Sequence, residues 1–435
     1  MKINKWTLGL AAVGLVSLTP GMQAQTPPAP APAPAASAPA PVPVVTALSA
    51  TTISGYVDTS AVWNPGTGNA NPAPYSFNAG KQDGFNVNSV DIKISKAEDE
   101  SQWAAGYVVE LMYGPDAALS GNAPLRQAYV SLHTPVGNGI DWQIGQWDNL
   151  LGYESSDSYK NPNWTRSYGY TIEPTEHTGI LASYKINDMA SVQVGVANTV
   201  TTLGGNARNV SGAGGSAIES KKAVVSLLTL TAPDSFGGWK GSALYAGLDY
   251  GPGVSANNVN GSGVAGHVVD KTHLYVGATI NTPVSGLTLG AAWDSVNNMD
   301  TAGVGGVEGA ATTIAAYVSY KITDKITSNL RAEYAHGSAF DGAGFANGAA
   351  PGTAGALPIN LTLPNGVPQE AKVFAVTETI QYDLWANVIS RLEVRWDTSA
   401  DGSPHFGGTT PSTFAAAFPT KNNEIMVAAN IIYKF

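Results

Sequence analysis

The sequence lacks cysteine and carries little charge. Asp, Glu, Lys and Arg make up only 12% of its 435 residues, against a usual share of about 25%. The absence of cysteine fits an exported protein that does not depend on disulfides. Low charge combined with 49 glycines and a hydrophobic fraction of 43% is unusual for a soluble domain. It is typical of a lipid-facing barrel, whose strands alternate apolar and polar residues.

Catalytic and metal-binding motifs are also missing. The six histidines show neither H-x-x-x-H nor H-E-x-x-H spacing, and no G-x-S-x-G elbow occurs. The Asn/Asp-rich stretches 257–260 and 297–300 could bind Ca²⁺, although EF-hand spacing is absent. We therefore expect no enzyme, no cofactor and no defined metal site. The alternative is a hydrolase assembled inside a barrel from Ser155, Ser156 and His177.

The first fifty residues differ from the rest of the chain. Residues 1–24 are predicted to be a signal peptide, because Lys2 and Lys5 precede a short apolar stretch. That stretch is shorter than the roughly 20 residues of a spanning helix, so a retained anchor is disfavoured. Residues 25–50, rich in Pro and Ala, are predicted to be a disordered periplasmic linker, or alternatively a cell-wall contact. We expect the barrel to occupy residues 51–435.

Loss of the signal peptide leaves a strongly acidic chain. It removes two of the 22 basic residues and none of the 32 acidic ones, so the net charge becomes 20 − 32 = −12. An acidic protein is a poor candidate for binding nucleic acid, and we expect no such partner.

From residue 51 onward, apolar side chains recur with a period of two, which predicts β-strands. About sixteen segments are found, each near the 9–11 residues of a tilted membrane-spanning strand. Their ranges are 53–63, 87–95, 103–113, 126–132, 140–147, 178–184, 191–197, 223–230, 241–250, 273–280, 287–294, 313–320, 326–334, 373–382, 387–397 and 425–435. The sequence therefore predicts an all-β, transmembrane antiparallel up-and-down barrel.

The connections alternate in length. Long gaps follow the odd-numbered strands and short gaps follow the even-numbered ones. Short periplasmic turns alternating with long extracellular loops are typical of outer-membrane barrels, whereas a sandwich has no reason to keep this order. An even strand count places both termini on the periplasmic side. Trp and Tyr at the strand ends, among them Trp63, Trp147 and Trp396 at the outer ends, predict two interfacial belts.

The last strand ends on the aromatic residue Phe435. Its apolar face would be an edge-pairing liability in a soluble sheet. Barrel closure against segment 53–63 would remove that edge. An aromatic last residue resembles the assembly signal of outer-membrane proteins, which implies the barrel-assembly machinery as a partner.

Charged residues on the strands are predicted to point into the lumen, because a Lys or Arg facing lipid costs roughly 2–4 kcal/mol at the midplane. These residues are Asp91, Lys93, Glu110, Arg126, Arg331, Glu333, Arg391, Glu393, Arg395 and Asp397. We interpret them as a charged screen that lines a pore. A structural network that pairs charges and rigidifies the barrel is the alternative.

The third long loop, residues 148–177, is the candidate constriction. General porins fold the loop at this position into the lumen, although their Pro-Glu-Phe-Gly-Gly sequence is absent here. The loop mixes aromatic and charged side chains that could stack sugars or screen ions. Its candidate pore residues are Glu154, Arg166, Glu173 and Glu176. An outward surface loop is the alternative.

Several motifs resemble the OmpL-like β-barrel porin-2 family of outer-membrane proteins. They are Arg126-Gln-Ala-Tyr129, Gly145-Gln-Trp147, Gly152-Tyr-Glu154, Asn161-Pro-Asn163, Arg166-Ser167, His177-Thr-Gly179 and Arg391-Leu-Glu-x-Arg395-x-Asp397. The resemblance extends from about residue 51 to the end, and it implies an outer-membrane pore without naming a solute.

We therefore expect a porin in the outer membrane of a Gram-negative-type bacterium, which passes small hydrophilic solutes or ions by diffusion, with a homotrimer as one assembly. The alternative is a non-conducting structural or adhesive barrel with a plugged lumen.

Overall fold

The computed structural model describes residues 50–65, 83–98, 102–119, 124–200, 221–252, 270–300, 308–338, 371–406 and 420–435. The predicted signal peptide, and the predicted linker apart from residue 50, lie outside these residues. The described residues contain sixteen strands, numbered here in chain order. They are β1 Thr52–Trp63, β2 Gly84–Lys96, β3 Ala104–Tyr113, β4 Leu125–Thr134, β5 Ile140–Asp148, β6 Glu176–Lys185, β7 Ala190–Ala197, β8 Ala223–Thr231, β9 Ala243–Pro252, β10 Asp270–Asn281, β11 Leu287–Asp300, β12 Glu308–Lys321, β13 Ile326–Ser338, β14 Ala371–Trp385, β15 Val388–Ser399 and β16 Asn423–Lys434.

The sixteen strands form one closed antiparallel barrel in which each strand pairs with its sequence neighbours. The barrel closes between β1 and β16, with Tyr56 opposite Lys434 and Trp63 opposite Val427. Phe435 completes the seam, because its backbone N–H and C=O each form a 3.0 Å hydrogen bond with Gly55. The predicted fold and the predicted partner of the last strand are both confirmed.

Side chains alternate between the inside and the outside of the barrel, as the period of two predicts. In β16, Ile425, Ile431 and Tyr433 are exposed, whereas Met426 and Asn430 are buried. Branched apolar residues are exposed on the outside of other strands in the same way. This outer surface has the chemistry of a lipid-facing barrel, and the polar residues are collected inside.

The alternation of connection lengths holds except after β8 and after β11. The tightest turn follows the rule and joins β14 to β15 through residues 386–387, where Asn387 adopts a φ of 64°. The connection after β11 has only seven residues, fewer than the eleven after β8. Its brevity arises because β11 and β12 are fourteen residues long each and extend beyond the segments predicted from the sequence.

Within the described ranges, helical structure is limited to short connecting segments. Three 3₁₀ turns cover Pro115–Leu119, Ser158–Lys160 and Asp234–Trp239, and one five-residue helix, α1, covers Tyr168–Ile172. None of the helical segments in the described ranges has the length and hydropathy of a membrane-crossing helix.

Aromatic residues lie exposed at both ends of the strands, with one correction to the prediction. Trp63 and Trp396 are exposed at one end, and Trp385 and Tyr433 at the other. Trp147, predicted in the outer belt, is only 1% exposed. Its ring lies inside the barrel, 6.4 Å from the His177 ring, because the chain after β5 turns inward and covers this strand end.

Candidate functional site

The segment between β5 and β6, residues 149–175, lies inside the barrel; we call it the inner loop. Asn163 Nδ2 donates to Thr379 Oγ1 of β14 at 2.7 Å. The Tyr168 N–H donates to Glu333 Oε2 of β13 at 2.6 Å. Tyr168 Oη donates to Asp397 Oδ1 of β15 at 2.9 Å. Since these partners belong to the far side of the barrel from β5, the loop crosses the lumen rather than extending outward.

Local sequence features fold the inner loop. Asn161 accepts from the Ser155 N–H at 2.7 Å and donates to the Ser155 carbonyl at 2.6 Å, which closes a compact turn. Ser167 caps α1 by accepting from the Tyr170 N–H at 3.2 Å. Gly152 has a φ of 109°, and a Cβ there would lie 2.0 Å from Glu173 Oε2. Glycine is therefore required at that position for both conformation and space.

Strands β13 and β15 anchor the loop through six charged residues, which we call the β13–β15 anchor. They are Arg331, Glu333, Arg391, Glu393, Arg395 and Asp397, each at most 3% exposed. Arg331 pairs with Glu154 of the loop at 2.7 Å and with Glu333 at 3.0 Å. Its guanidinium also donates to the Thr165 carbonyl at 2.8 Å. The buried charges are thus compensated by ion pairs and by loop backbone groups.

The other anchor residues also contact the loop backbone. Glu393 accepts from the N–H groups of Trp164 and Thr165 at 2.6 and 3.0 Å. Arg391 donates to the Asn161 carbonyl at 2.7 Å. Arg395 donates to the Arg166 carbonyl at 2.7 Å and pairs with Asp397 at 2.9 Å. Charge-assisted hydrogen bonds of this kind are about twice as strong as neutral ones, so the contacts fix the loop.

A second charged group, the Arg126 cluster, lies on the opposite side of the lumen. It contains Asp91, Lys93, Glu110, Arg126 and Asp148 of β2–β5 together with Asp157 and Lys160 of the loop. Arg126 contacts Asp148 at 2.6 Å, Glu110 at 3.2 Å and Asp157 at 3.4 Å. The loop is therefore held at both sides of the barrel.

Ionisation of the loop residues follows from this arrangement. Burial opposes the charged form of Asp157, but Lys160 and Arg126 outweigh burial and lower its pKa. The pKa of Lys160 is raised because Asp157, at 2.6 Å, outweighs burial. Burial, together with Asp294, Glu154 and Asp249, raises the pKa of Glu173 well above its usual range. Glu173 therefore holds a proton where an exposed glutamate would have lost it.

A cavity of about 420 Å³ lies between the inner loop and the barrel end that carries the short turns. Its lining contains loop residues and inward residues of β9–β14, and Lys160 is the charged side chain among them. The lining residues are Leu150, Gly152, Tyr153, Tyr159, Lys160, Asn161, Pro162, Tyr245, Tyr275, Thr279, Thr288, Ser319, Thr327, Asn329 and Gln381. This cavity is therefore bounded mainly by tyrosine rings, hydroxyls and amides.

A family model described as "Putative beta-barrel porin-2, OmpL-like" matches residues 50–435. The chain belongs to this family. A comparison with curated protein sequences finds no match. Family and fold together identify the chain as an outer-membrane porin.

Solved porins share the fold at low identity. The trimer form of OmpT from Vibrio cholerae is 13% identical with a TM-score of 0.52, over 88% of this chain and 99% of that one. An anion-selective porin from Comamonas acidovorans is 11% identical with a TM-score of 0.52, over 88% and 99%. OprB from Pseudomonas putida is 13% identical with a TM-score of 0.53, over 90% and 96%. These similarities concern the fold alone.

The structure separates the candidate pore residues into groups. The β13–β15 anchor and Arg126 lie beneath or beside the loop, and Glu176 at the start of β6 accepts from Thr175 Oγ1 at 2.7 Å. Arg166 donates to the Trp164 and Ser156 carbonyls, at 3.0 Å each. Glu154 and Glu173 border a smaller cavity of about 70 Å³. None of the fourteen candidates lines the larger cavity.

The residues that line the larger cavity were not among those predicted from the sequence. Tyr245 lies four residues before the inward Asp249 on β9, and Tyr275 lies two residues after the inward His273 on β10. An even separation places each tyrosine on the inner face, and this spacing could have identified both from the sequence. The proposed hydrolase residues bond elsewhere: Ser156 to Tyr170 at 2.7 Å, and His177 to Asp249 at 3.2 Å and Asn149 at 3.1 Å.

Proposed function

We propose that this porin passes small, neutral hydrophilic solutes along a route narrowed by the inner loop. The observation that carries the proposal is the loop anchored across the lumen above a cavity of about 420 Å³. A volume of this size holds a small solute with its hydration water, whereas the cavity bordered by Glu154 and Glu173 of the loop has only about 70 Å³.

The cavity lining favours neutral solutes over ions. Tyrosine rings offer apolar faces beside a polar hydroxyl, and Thr279, Thr288 and Ser319 supply further hydroxyls. Such groups replace the hydration of a polyhydroxylated solute without a fixed charge. Because Lys160 is the charged residue of the lining, a weak preference for anions over cations is expected. The charged screen envisaged from the sequence then acts mainly as the anchor of the loop.

The envelope context completes the proposal. Both termini and the short turns would face the periplasm, and the long connections would face outward. We expect a homotrimer in lipid, as in the trimer form of OmpT. The barrel-assembly machinery would recognise the last strand with Phe435, and the Pro/Ala segment would act as a periplasmic linker or a cell-wall contact.

Solute uptake into liposomes tests the proposed function. Purified protein is reconstituted, and swelling is followed in isotonic sugars of increasing size and in salts of matched osmolarity. We expect uptake of small neutral sugars with a sharp decline as size increases. Absence of uptake for every solute, from vesicles that contain folded barrels, would contradict the proposal.

A plugged, non-conducting barrel is the second candidate, and one observation favours it. Trp164, Tyr168 and Ile172 of the loop form a buried apolar cluster with inward residues of the barrel, including Val296 and Val373. This packing fills part of the lumen. Planar-bilayer recordings separate the two functions, since a plugged barrel gives no current steps.

We expect no catalytic activity, and a lipid-hydrolysis assay on the purified protein tests this.

A further inference from the structure

Asp91 has a buried carboxylate oxygen that lacks a hydrogen-bond partner in the described part of the chain. Its side chain points into the Arg126 cluster and is only 3% exposed. Its Oδ2 atom has no hydrogen-bond partner among the described residues. Leaving a charged acceptor buried and unsatisfied costs more than the 1–3 kcal/mol typical of a neutral group. A partner from outside the chain would remove that cost.

We propose that Asp91, Glu110 and Asp157 bind a Ca²⁺ ion, which ties the inner loop to β2 and β3. One carboxylate oxygen from each of the three residues lies within 4.8 Å of the others. Oxygens this close together can share one cation. We assign the site to Ca²⁺ because carboxylates from three separate parts of the chain suit its flexible, oxygen-rich coordination better than the near-ideal octahedron that Mg²⁺ demands.

Neighbouring atoms have the same ligand chemistry. Tyr56 stands opposite Asp91 across the β1–β2 pair, and Ser89 precedes Asp91 by two residues on the same face. Tyr56 and Ser89 are both buried, and each has a hydroxyl oxygen. All of these atoms are oxygens, the hard ligands that Ca²⁺ takes in sets of six to eight, with water supplying the remainder.

The charge balance leaves room for a divalent cation. Five carboxylates surround Arg126, namely Asp91, Glu110, Asp148, Asp157 and Glu176. Three cations, Lys93, Arg126 and Lys160, oppose them. The group therefore has a net charge of −2 when every member is ionised, and one Ca²⁺ neutralises it.

Basic residues contact two of the three proposed ligands, Glu110 and Asp157, whereas Asp91 forms no ion pair among the described residues. Lys93 lies 3.1 Å from Glu110 Oε2. Arg126 makes its shortest contact, 2.6 Å, with Asp148, which is not one of the proposed ligands. Its contacts with Glu110 and Asp157 are longer, 3.2 and 3.4 Å. Lys160 approaches Asp157 through Oδ2, and Arg126 approaches it through Oδ1. The proposed site does not depend on whether the barrel conducts.

Calorimetric titration with CaCl₂ tests the site on full-length mature protein refolded in detergent without lipopolysaccharide. We expect one Ca²⁺ per chain and a higher thermal unfolding temperature with Ca²⁺. Asp91→Asn should weaken binding by about tenfold or more, the scale seen when metal-site residues are altered. The control, Asp234→Asn, changes an exposed acid that pairs with Lys240 in a turn, and it should bind Ca²⁺ as the wild type does.

Each outcome decides the proposal. No Ca²⁺ binding by the wild type, or undiminished binding by Asp91→Asn, would overturn it. Equal binding of Mg²⁺ would overturn the assignment to a Ca²⁺-sized site. If Asp91→Asn does not fold, Asp157→Asn in the inner loop takes its place, with the same expected loss of Ca²⁺ affinity.

Discussion

Glu393 is one of the buried residues that anchor the inner loop, and its removal should release the loop. Its carboxylate accepts two loop N–H groups, from Trp164 at 2.6 Å and from Thr165 at 3.0 Å. It also accepts from Thr379 Oγ1 at 2.6 Å. Each hydrogen bond to a charged group contributes about 1.5–3 kcal/mol, so the two loop contacts contribute about 3–6 kcal/mol to docking.

Glu393→Ala should therefore raise the undocked population of the loop at least about 100-fold, since each 1.4 kcal/mol is a factor of ten. We expect more frequent steps of larger conductance in planar bilayers and faster hydrogen exchange at the Trp164 and Thr165 amides. Glu393→Gln keeps a neutral acceptor and should give an intermediate effect. The control, Glu378→Gln, alters a β14 glutamate that bonds Ser328 of β13 rather than the loop.

The control should leave the conductance and the exchange of the loop amides unchanged. If Glu393→Ala folds and shows wild-type currents with fully protected loop amides, the carboxylate does not hold the loop. The assignment of the β13–β15 charges as a loop anchor would then be wrong.

Three further predictions concern single sites. The pKa of Glu173 is raised in the folded state, so protonated Glu173 stabilises the fold fully below the ordinary pKa of about 4.3. This stabilisation is lost as pH rises through the raised pKa. Glu173→Gln should therefore reduce the fall of the thermal unfolding temperature with rising pH. Lys160→Glu should shift the reversal potential in a KCl gradient towards cations, because the charge of the cavity lining changes sign; an unchanged potential would place the ion path elsewhere. Deletion of Phe435 removes two hydrogen bonds to Gly55, and it should lower the yield of assembled barrels more than their conductance.

The barrel could be predicted from the sequence because its main determinant is local. A period of two decides which side chains point outward, and the lengths of connections decide how strands pair. For this reason the closure of β1 on β16 and the exposed side of β16 followed from residues 53–63 and 425–435 alone. The ends of the strands were predicted less accurately, because β11 and β12 extend beyond the apolar segments from which they were predicted.

The site could be predicted only in part. The period of two along a strand shows that a side chain points into the barrel, but it does not show which residue the side chain contacts there. Glu393 and Arg395 were placed on the inner face, yet their partners, the Thr165 N–H and the Arg166 carbonyl, are more than 220 residues away in sequence. No local pattern encodes such contacts. The same limit hid the role of Trp147, which is covered by the loop that follows it.

The position of the inner loop in the conducting barrel is the central claim, and a cross-link tests it most directly. The natural chain has no cysteine, so a pair can be introduced without background. Asn163 Nδ2 lies 2.7 Å from Thr379 Oγ1 and both side chains are fully buried, so Asn163→Cys with Thr379→Cys suits direct oxidation to a disulfide rather than a reagent with a spacer. We predict rapid cross-linking in reconstituted protein, with sugar uptake retained and the larger conductance steps suppressed. Failure of the pair to cross-link in folded barrels, or loss of all uptake once it is cross-linked, would contradict the account.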